Sequence, residues 1–338
     1  MTRWYPWLNI IYSKMLNSYR KNRGHHALLL NAKWNNGEDT LIDAIARWLS
    51  CSHPRETRHC NFCHNCKLMN IGNHPDYYQI NPENNTETVG VDIMRTFINS
   101  IYHHAYRSKV KIIFIKYVEY LTDQSINVLL KTLDEPPINT YFFFKTRDYM
   151  RIPLTFLSRC MKWSIVSPKE SLGLQWLMQQ QEGIDDILLA QCALRLCNGA
   201  PIEAEAMFKL GMWKERLELC KSMYYTIINK DFLKLVPFLN TCRNNTYLYW
   251  FITVLVDALK WKQGINQQFM INLDQIELIT AIADYWSVSS LSRQLQQWLA
   301  LLCYFQKFTN IDRELLLTYR LLNWQKDIVE SCFHVWSI

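Results

Sequence analysis

The chain has 338 residues, which points to two or three domains and not one. Its hydrophobic fraction of 49% is enough for ordinary packed cores, and only 9 Gly and 10 Pro exclude collagen-like or low-complexity sequence. The formal charge of +7 is spread over scattered Lys and Arg with no block of like charge, so charge alone makes no case for a nucleic-acid partner.

The opening residues, Met1-Thr2-Arg3-Trp4-Tyr5-Pro6-Trp7, lack a continuous apolar stretch and a small-residue cleavage site, so no secretory signal is expected. No apolar run approaches the roughly 18 residues that span a bilayer. A cytoplasmic protein without membrane contact is expected, and there cysteines do not argue for disulfides. Seven of the eleven cysteines (Cys160, Cys192, Cys197, Cys220, Cys242, Cys303 and Cys332) are scattered and read as small buried apolar residues.

In chain order, residues 4–23 carry apolar positions at helical spacing: Leu8, Ile11, Tyr12, Met15, Leu16 and Tyr19. A short apolar run from His26 to Leu30 reads as a buried strand, followed by a helix from about Gly37 to Ser50. Similar runs at 77–80, 110–115, 141–144 and 161–166 alternate with helical stretches at about 91–104, 123–134 and 151–157. Strands alternating with helices imply crossover connections and a mostly parallel sheet covered on both faces. From Ser167-Pro168-Lys169-Glu170, a helix start with Pro in the first turn, the pattern is helical to the end, for example at 188–196, 247–261 and 291–305. The Trp and Leu stripes there read as core. Asn198-Gly199-Ala200-Pro201 marks a break between helices. The division expected is an α/β domain over 1–166, a small helical domain over 167–207 and a larger helical domain over 208–338.

Cys51, Cys60, Cys63 and Cys66 are spaced C-x8-C-x2-C-x2-C, between the first α/β helix and the second strand. Thiolates this close can complete a tetrahedron around Zn²⁺, and four protein ligands leave no open position, so a structural zinc module at about 51–66 is expected. An iron–sulfur cluster is the alternative use of four cysteines. His53, His59 and His64 nearby read as surface residues.

A strand ending at Leu30 followed by a helix from Gly37 is where a phosphate-binding loop, G-x-x-x-x-G-K-[ST], belongs. Here Ala32 replaces the first Gly, Gly37 is kept, Glu38 replaces the Lys that reaches the terminal phosphates, and Asp39 replaces the Mg²⁺-holding hydroxyl. Two carboxylates at a helix N-terminus are expected to occupy the field that attracts phosphate and to repel nucleotide. After the third strand, Lys116-Tyr117 stand where an ATPase carries acids, and Glu119 follows without a partner. No bound ATP is expected.

Several stretches together resemble one family. They are Arg3-Trp4-Tyr5-Pro6-Trp7-Leu8, Gly24-His25-His26-Ala27-Leu28-Leu29, the four cysteines, His74-Pro75-Asp76-Tyr77-Tyr78 and Leu121-Thr122-Asp123. With them go Leu129-Leu130-Lys131-Thr132-Leu133-Asp134-Glu135-Pro136-Pro137, Ser158-Arg159-Cys160 and Ile311-Asp312-Arg313-Glu314-Leu315-Leu316. The resemblance is to the delta-prime family of bacterial DNA polymerase III clamp loaders, dense over 1–165 and thinner beyond. It implies an AAA+ domain with a five-stranded parallel sheet and zinc insertion, a helical lid and a helical collar that oligomerises. It implies a replication role in a five-membered ring with delta and three gamma/tau ATPase subunits, loading the sliding clamp on primer-template DNA, and no hydrolysis by this subunit itself. Enzyme activity would belong to the DNA polymerase III holoenzyme as a complex.

The resemblance further implies that Arg159 of the S-R-C turn, held by Ser158 and Cys160, projects into a neighbour's ATP site as an arginine finger. Thr146 matches the family's phosphate sensor and is expected to be vestigial, and Ile202 stands where the lid would carry a sensor arginine. The resemblance also disfavours the iron–sulfur alternative. Two competing readings are an ATP-hydrolysing motor subunit of the same ring, against which Glu38 and Lys116 argue, and a free-standing zinc-binding DNA protein, which predicts tight, salt-dependent binding of DNA by the monomer.

Overall fold

A computed structural model of the chain describes residues 3–31, 34–81, 88–102, 108–180, 186–241, 245–308 and 311–333, the side chains of the last segment to residue 325. Two compact units emerge, one to Pro168 and one from Lys169.

The first unit runs α1 (Asn9–Arg20), β1 (Ala27–Asn31), α2 (Glu38–Ser50), α3 (His64–Ile71), β2 (Tyr77–Ile80), α4 (Val91–Tyr102), β3 (Lys111–Ile115), α5 (Asp123–Asp134), β4 (Thr140–Thr146), α6 (Leu154–Leu157) and β5 (Met161–Ser164). All neighbouring strands pair in parallel, in the order β2-β3-β4-β1-β5. The continuous apolar runs are explained by burial on both faces. Ala27, Leu29, Ile113, Ile115, Phe142 and Phe144 face α4, α5 and α6, while Leu28, Leu30, Ile112, Phe114 and Phe143 face α1 and α2. The central strands are fully covered, whereas β5 lies at the sheet edge with Met161, Lys162 and Ser164 exposed.

Helix α5 starts at a side-chain cap: the Thr122 hydroxyl accepts the N–H of Ser125, and Leu121-Thr122-Asp123 is therefore a helix-start signal. The helix ends at Glu135, before Pro136 and Pro137, whose rings cannot continue it. Expected strands and helices match within three residues at each end, except that the first stretch, 4–23, narrows to α1 after a short 3-10 turn, α3 lies where no helix is expected, and the expected helix over 151–157 shortens to α6. The end of the stretch expected at 91–104 lies outside the described residues.

The second unit is helical throughout: α7 (Glu170–Gln180), α8 (Ile187–Leu196), α9 (Pro201–Lys209), α10 (Met212–Asn229), α11 (Val236–Leu239), α12 (Thr246–Lys262), α13 (Ile276–Tyr285), α14 (Val288–Lys307) and α15 (Arg313–Phe333). Trp286, Trp298 and Trp324 are fully buried and pack edge-to-face or tilted against one another and against Phe232 and Phe251, so the aromatic stripes are core. Among the scattered cysteines Cys160, Cys192 and Cys220 are buried and Cys197 half-buried. Cys303 is exposed on α14, contrary to the expectation for all seven, because it falls on the solvent side of an amphipathic helix. Cys242 lies outside the described residues, and Cys332 is described in its backbone alone. Among the described residues no helix is long and apolar enough to cross a membrane.

Candidate functional site

The turn between β1 and α2 sits beyond the C-terminal ends of β1, β3 and β4, where open parallel sheets bind ligands. Ala32 lies outside the described residues. Gly37 caps α2 in the left-handed region at φ 93°, and a Cβ there would meet Tyr5 Cδ2 at 2.6 Å, so both backbone and space require glycine. Tyr5 stacks on Trp7 with ring centroids 5.2 Å apart, and the Trp7 indole N–H donates to the carbonyl of Asn36 at 2.8 Å. Aromatic side chains from the N-terminal segment thus pack directly on the loop.

Glu38 is fully buried, and both its carboxylate oxygens accept the backbone N–H of Asn36, at 3.1 and 3.2 Å. Burial pushes its pKa up to about 7, against the pull of Lys145 and of backbone N–H groups. Asp39 is bridged by two ammonium groups: Lys145 Nζ donates to Oδ1 at 2.8 Å, and Lys116 Nζ lies 2.8 Å from Oδ2. Although burial by itself would raise it, these two lysines hold the Asp39 carboxyl below the usual range. The expected pair of repelling carboxylates is therefore not what forms. One is pushed toward its neutral form by burial and satisfied by the loop's own N–H, and the other is neutralised by cations from β4 and from just past the end of β3.

Lys116 is legible in the sequence only as a residue standing where an acid is missing, and Lys145 carries no signal there because its meaning depends on what its strand end faces. Glu119 is not without a partner, since its carboxylate accepts the N–H of Arg147 at 2.9 Å. Arg147 lies over the Tyr117 ring at 4.3 Å. Thr146 is fully buried and its hydroxyl donates to the carbonyl of Asp148. Ile202 lies in the first turn of α9.

The four expected cysteines come together. Cys51 caps the end of α2, Cys63 caps the start of α3 and Cys66 lies in that helix, all four sulfurs falling within 4.8 Å of one another. Cys60 and Cys66 sulfurs are 3.9 Å apart, close to the edge of about 3.8 Å that a tetrahedron with metal–sulfur bonds of about 2.3 Å demands. The N–H of Cys60 donates to Cys51 Sγ, that of Cys63 to Cys60 Sγ and that of Cys66 to Cys63 Sγ, at 3.3–3.4 Å. The thiols shift in opposite directions: against burial, the N–H of Cys66 and other donors pull Cys63 down to about 6, while burial pushes Cys51 and Cys66 up. The cluster could hold a metal ion. His53 and His64 are exposed and His59 half-buried.

Arg159 lies in the turn between α6 and the edge strand β5, its side chain 33% exposed. Nε donates to Asp134 Oδ1 at 2.6 Å and Nη1 to the carbonyl of Thr155 at 2.7 Å. The hydrogen bond to Asp134 raises its already high pKa. Ser158 donates to the Thr155 carbonyl and Cys160 is buried, so both anchor the turn while the guanidinium stays at the surface.

The family model described as DNA polymerase III, delta subunit matches residues 8–169, and that described as DNA polymerase III, delta subunit, C terminal matches 211–326. The chain is 37% identical to the DNA polymerase III subunit delta' of Yersinia pestis and 38% identical to that of Escherichia coli, each over 95% of both chains. The chain belongs to the delta-prime family of DNA polymerase III subunits. It is also 30% identical to the tau/gamma subunit of Haemophilus influenzae over 48% of this chain and 23% of that one. A solved gamma subunit-related protein of Thermotoga maritima is 18% identical, covering 93% of this chain and 99% of that one with a TM-score of 0.47. This member of the delta-prime family combines a five-stranded parallel sheet, a four-cysteine insertion and a helical second unit. In it the run from Leu129 to Pro137 gains a structural meaning: the end of α5 carries Asp134, the partner of Arg159.

Proposed function

We propose that the chain is a clamp-loader subunit that does not hydrolyse ATP itself and lends Arg159 to the nucleotide of a neighbouring gamma/tau subunit. The observation that carries the reading is the setting of that guanidinium. It is surface-placed in an S-R-C turn beside an edge strand, and two of its donors are fixed by Asp134 and Thr155. A pre-aimed planar cation suits charge developing on a transferred phosphoryl group. The chain's own loop is occupied by Glu38, Asp39, Trp7 and Tyr5, which supports its silence toward nucleotide. The four cysteines hold structural Zn²⁺, tying the end of α2 to the start of α3. Helices α7–α9 act as the lid and the later helices as the collar, in a cytoplasmic ring that also contains delta and serves the sliding clamp on primer-template DNA.

The test is a ring reconstituted with Arg159→Ala. Assembly should persist, and turnover at the one site facing this subunit should fall by about 10³-fold or more, as for other trans arginines. Unchanged DNA-stimulated ATP turnover in a ring of normal composition would remove the mechanism.

A further inference from the structure

Lys116 and Lys145 come from adjacent parallel strands, one just past the end of β3 and the other near the end of β4, and both reach the first turn of α2. They take different oxygens of one carboxylate, each at 2.8 Å. Lys145 is only 5% exposed, and a desolvated ammonium is costly unless an anion stands against it. Asp39 is 43% exposed, so the pair is buried on the protein side and open toward solvent on the carboxylate side. Two cations converging on two oxygens of a single group make a binding arrangement for an oxyanion, and the fold supplies that oxyanion from its own chain.

We propose that Lys116 and Lys145 form an oxyanion subsite for phosphate groups, filled from within by Asp39, so that occupancy by this one carboxylate keeps polyphosphate out. The proposal rests on the reading that the chain's own nucleotide position is closed, and names the residue that closes it. Being part of the chain and held at the start of α2, Asp39 competes intramolecularly, without the association cost that a free anion carries. The lost P-loop lysine, replaced by Glu38, is then not the deciding change, because two other lysines already supply positive charge. Removing the Asp39 side chain leaves the buried Lys145 ammonium with only the Glu38 carboxyl, itself committed to the N–H of Asn36, as a nearby anion, which destabilises the empty protein and favours a multivalent oxyanion that fits.

The experiment titrates inorganic pyrophosphate into full-length wild type, Asp39→Ala and Asp39→Ser, the last keeping a hydrogen-bonding group at the start of α2, by calorimetry and thermal unfolding. Pyrophosphate should bind either variant at least about tenfold more tightly than wild type and restore the thermal stability the variant lost, which chloride of equal ionic strength should not do. Adding Lys145→Ala to the Asp39→Ala chain should abolish the gain. Folded variants that bind pyrophosphate no better than wild type, or a gain that survives loss of Lys145, overturn the proposal and leave the closed-loop reading standing. Saturable ATP binding by the wild-type chain overturns that reading itself.

Discussion

Glu38 closes on the N–H of Asn36 from the first turn of α2 with no exposure to solvent. Its folded pKa of about 7 exceeds the ordinary 4.5. An acid raised in this way favours the folded state while protonated: the contribution is complete below its unfolded pKa and is lost as pH rises through the folded one. Glu38→Gln is neutral throughout and keeps one acceptor for the Asn36 N–H. The stability of Glu38→Gln relative to wild type should therefore grow between pH 5 and pH 8, by on the order of 2 kcal/mol. Thermal unfolding of the two proteins at both pH values checks it, and the difference cancels the titration of the thiols common to both. A difference that shrinks with rising pH would contradict the burial argument. The loop pattern showed Glu38 in place of a lysine and read it as a repelling charge; that it is buried on the N–H of Asn36, and that Lys145 brings positive charge from another strand, was not readable.

At the scale of elements, the sheet was legible because its central strands β1, β3 and β4, buried on both faces, are largely apolar runs five to seven residues long bounded by turns. Helix α3 was not, because its start is capped by a cysteine sulfur accepting the N–H of Cys66, where the usual start signal is Ser, Thr, Asp or Asn. The same cap makes the helix depend on the cluster. Cys63→Ser should lose the bound metal, measured by elemental analysis, and destabilise the first unit by several kcal/mol, since a structural zinc site contributes directly to folding. Native protein free of stoichiometric zinc would refute the assignment. The proximity of the four cysteines was legible from spacing, although Cys51 lies fifteen residues from Cys66 and is brought in only by the end of α2.

At the scale of the molecule, the two units are built on different principles. The first is organised by the sheet and its two apolar faces. The second couples aromatic packing to a buried polar network that links α10 and α12 to the segment 270–275. Arg216, fully buried on α10, pairs with both oxygens of Asp274 at 2.7 and 2.8 Å and reaches Asn272 at 2.9 Å. Asp257 on α12 accepts the N–H groups of Ile271 and Asn272 and the Asn272 amide. Arg216→Ala leaves Asp274 buried without its cation and should cost the second unit about 3–5 kcal/mol. Tryptophan fluorescence through the transition reads this, as Trp286, Trp298 and Trp324 lie in that unit's core.

The sequence by itself determined the parallel α/β unit, the helical remainder, the metal-type cysteine cluster and the family, because these are carried by local periodicity, spacing and contiguous motifs. Tertiary structure alone decided which charges meet. Asp39 with Lys116 and Lys145, Arg159 with Asp134 and Arg216 with Asp274 are pairs 25 to 106 residues apart. Coulomb energy depends on distance and dielectric, and neither can be read from position along a chain.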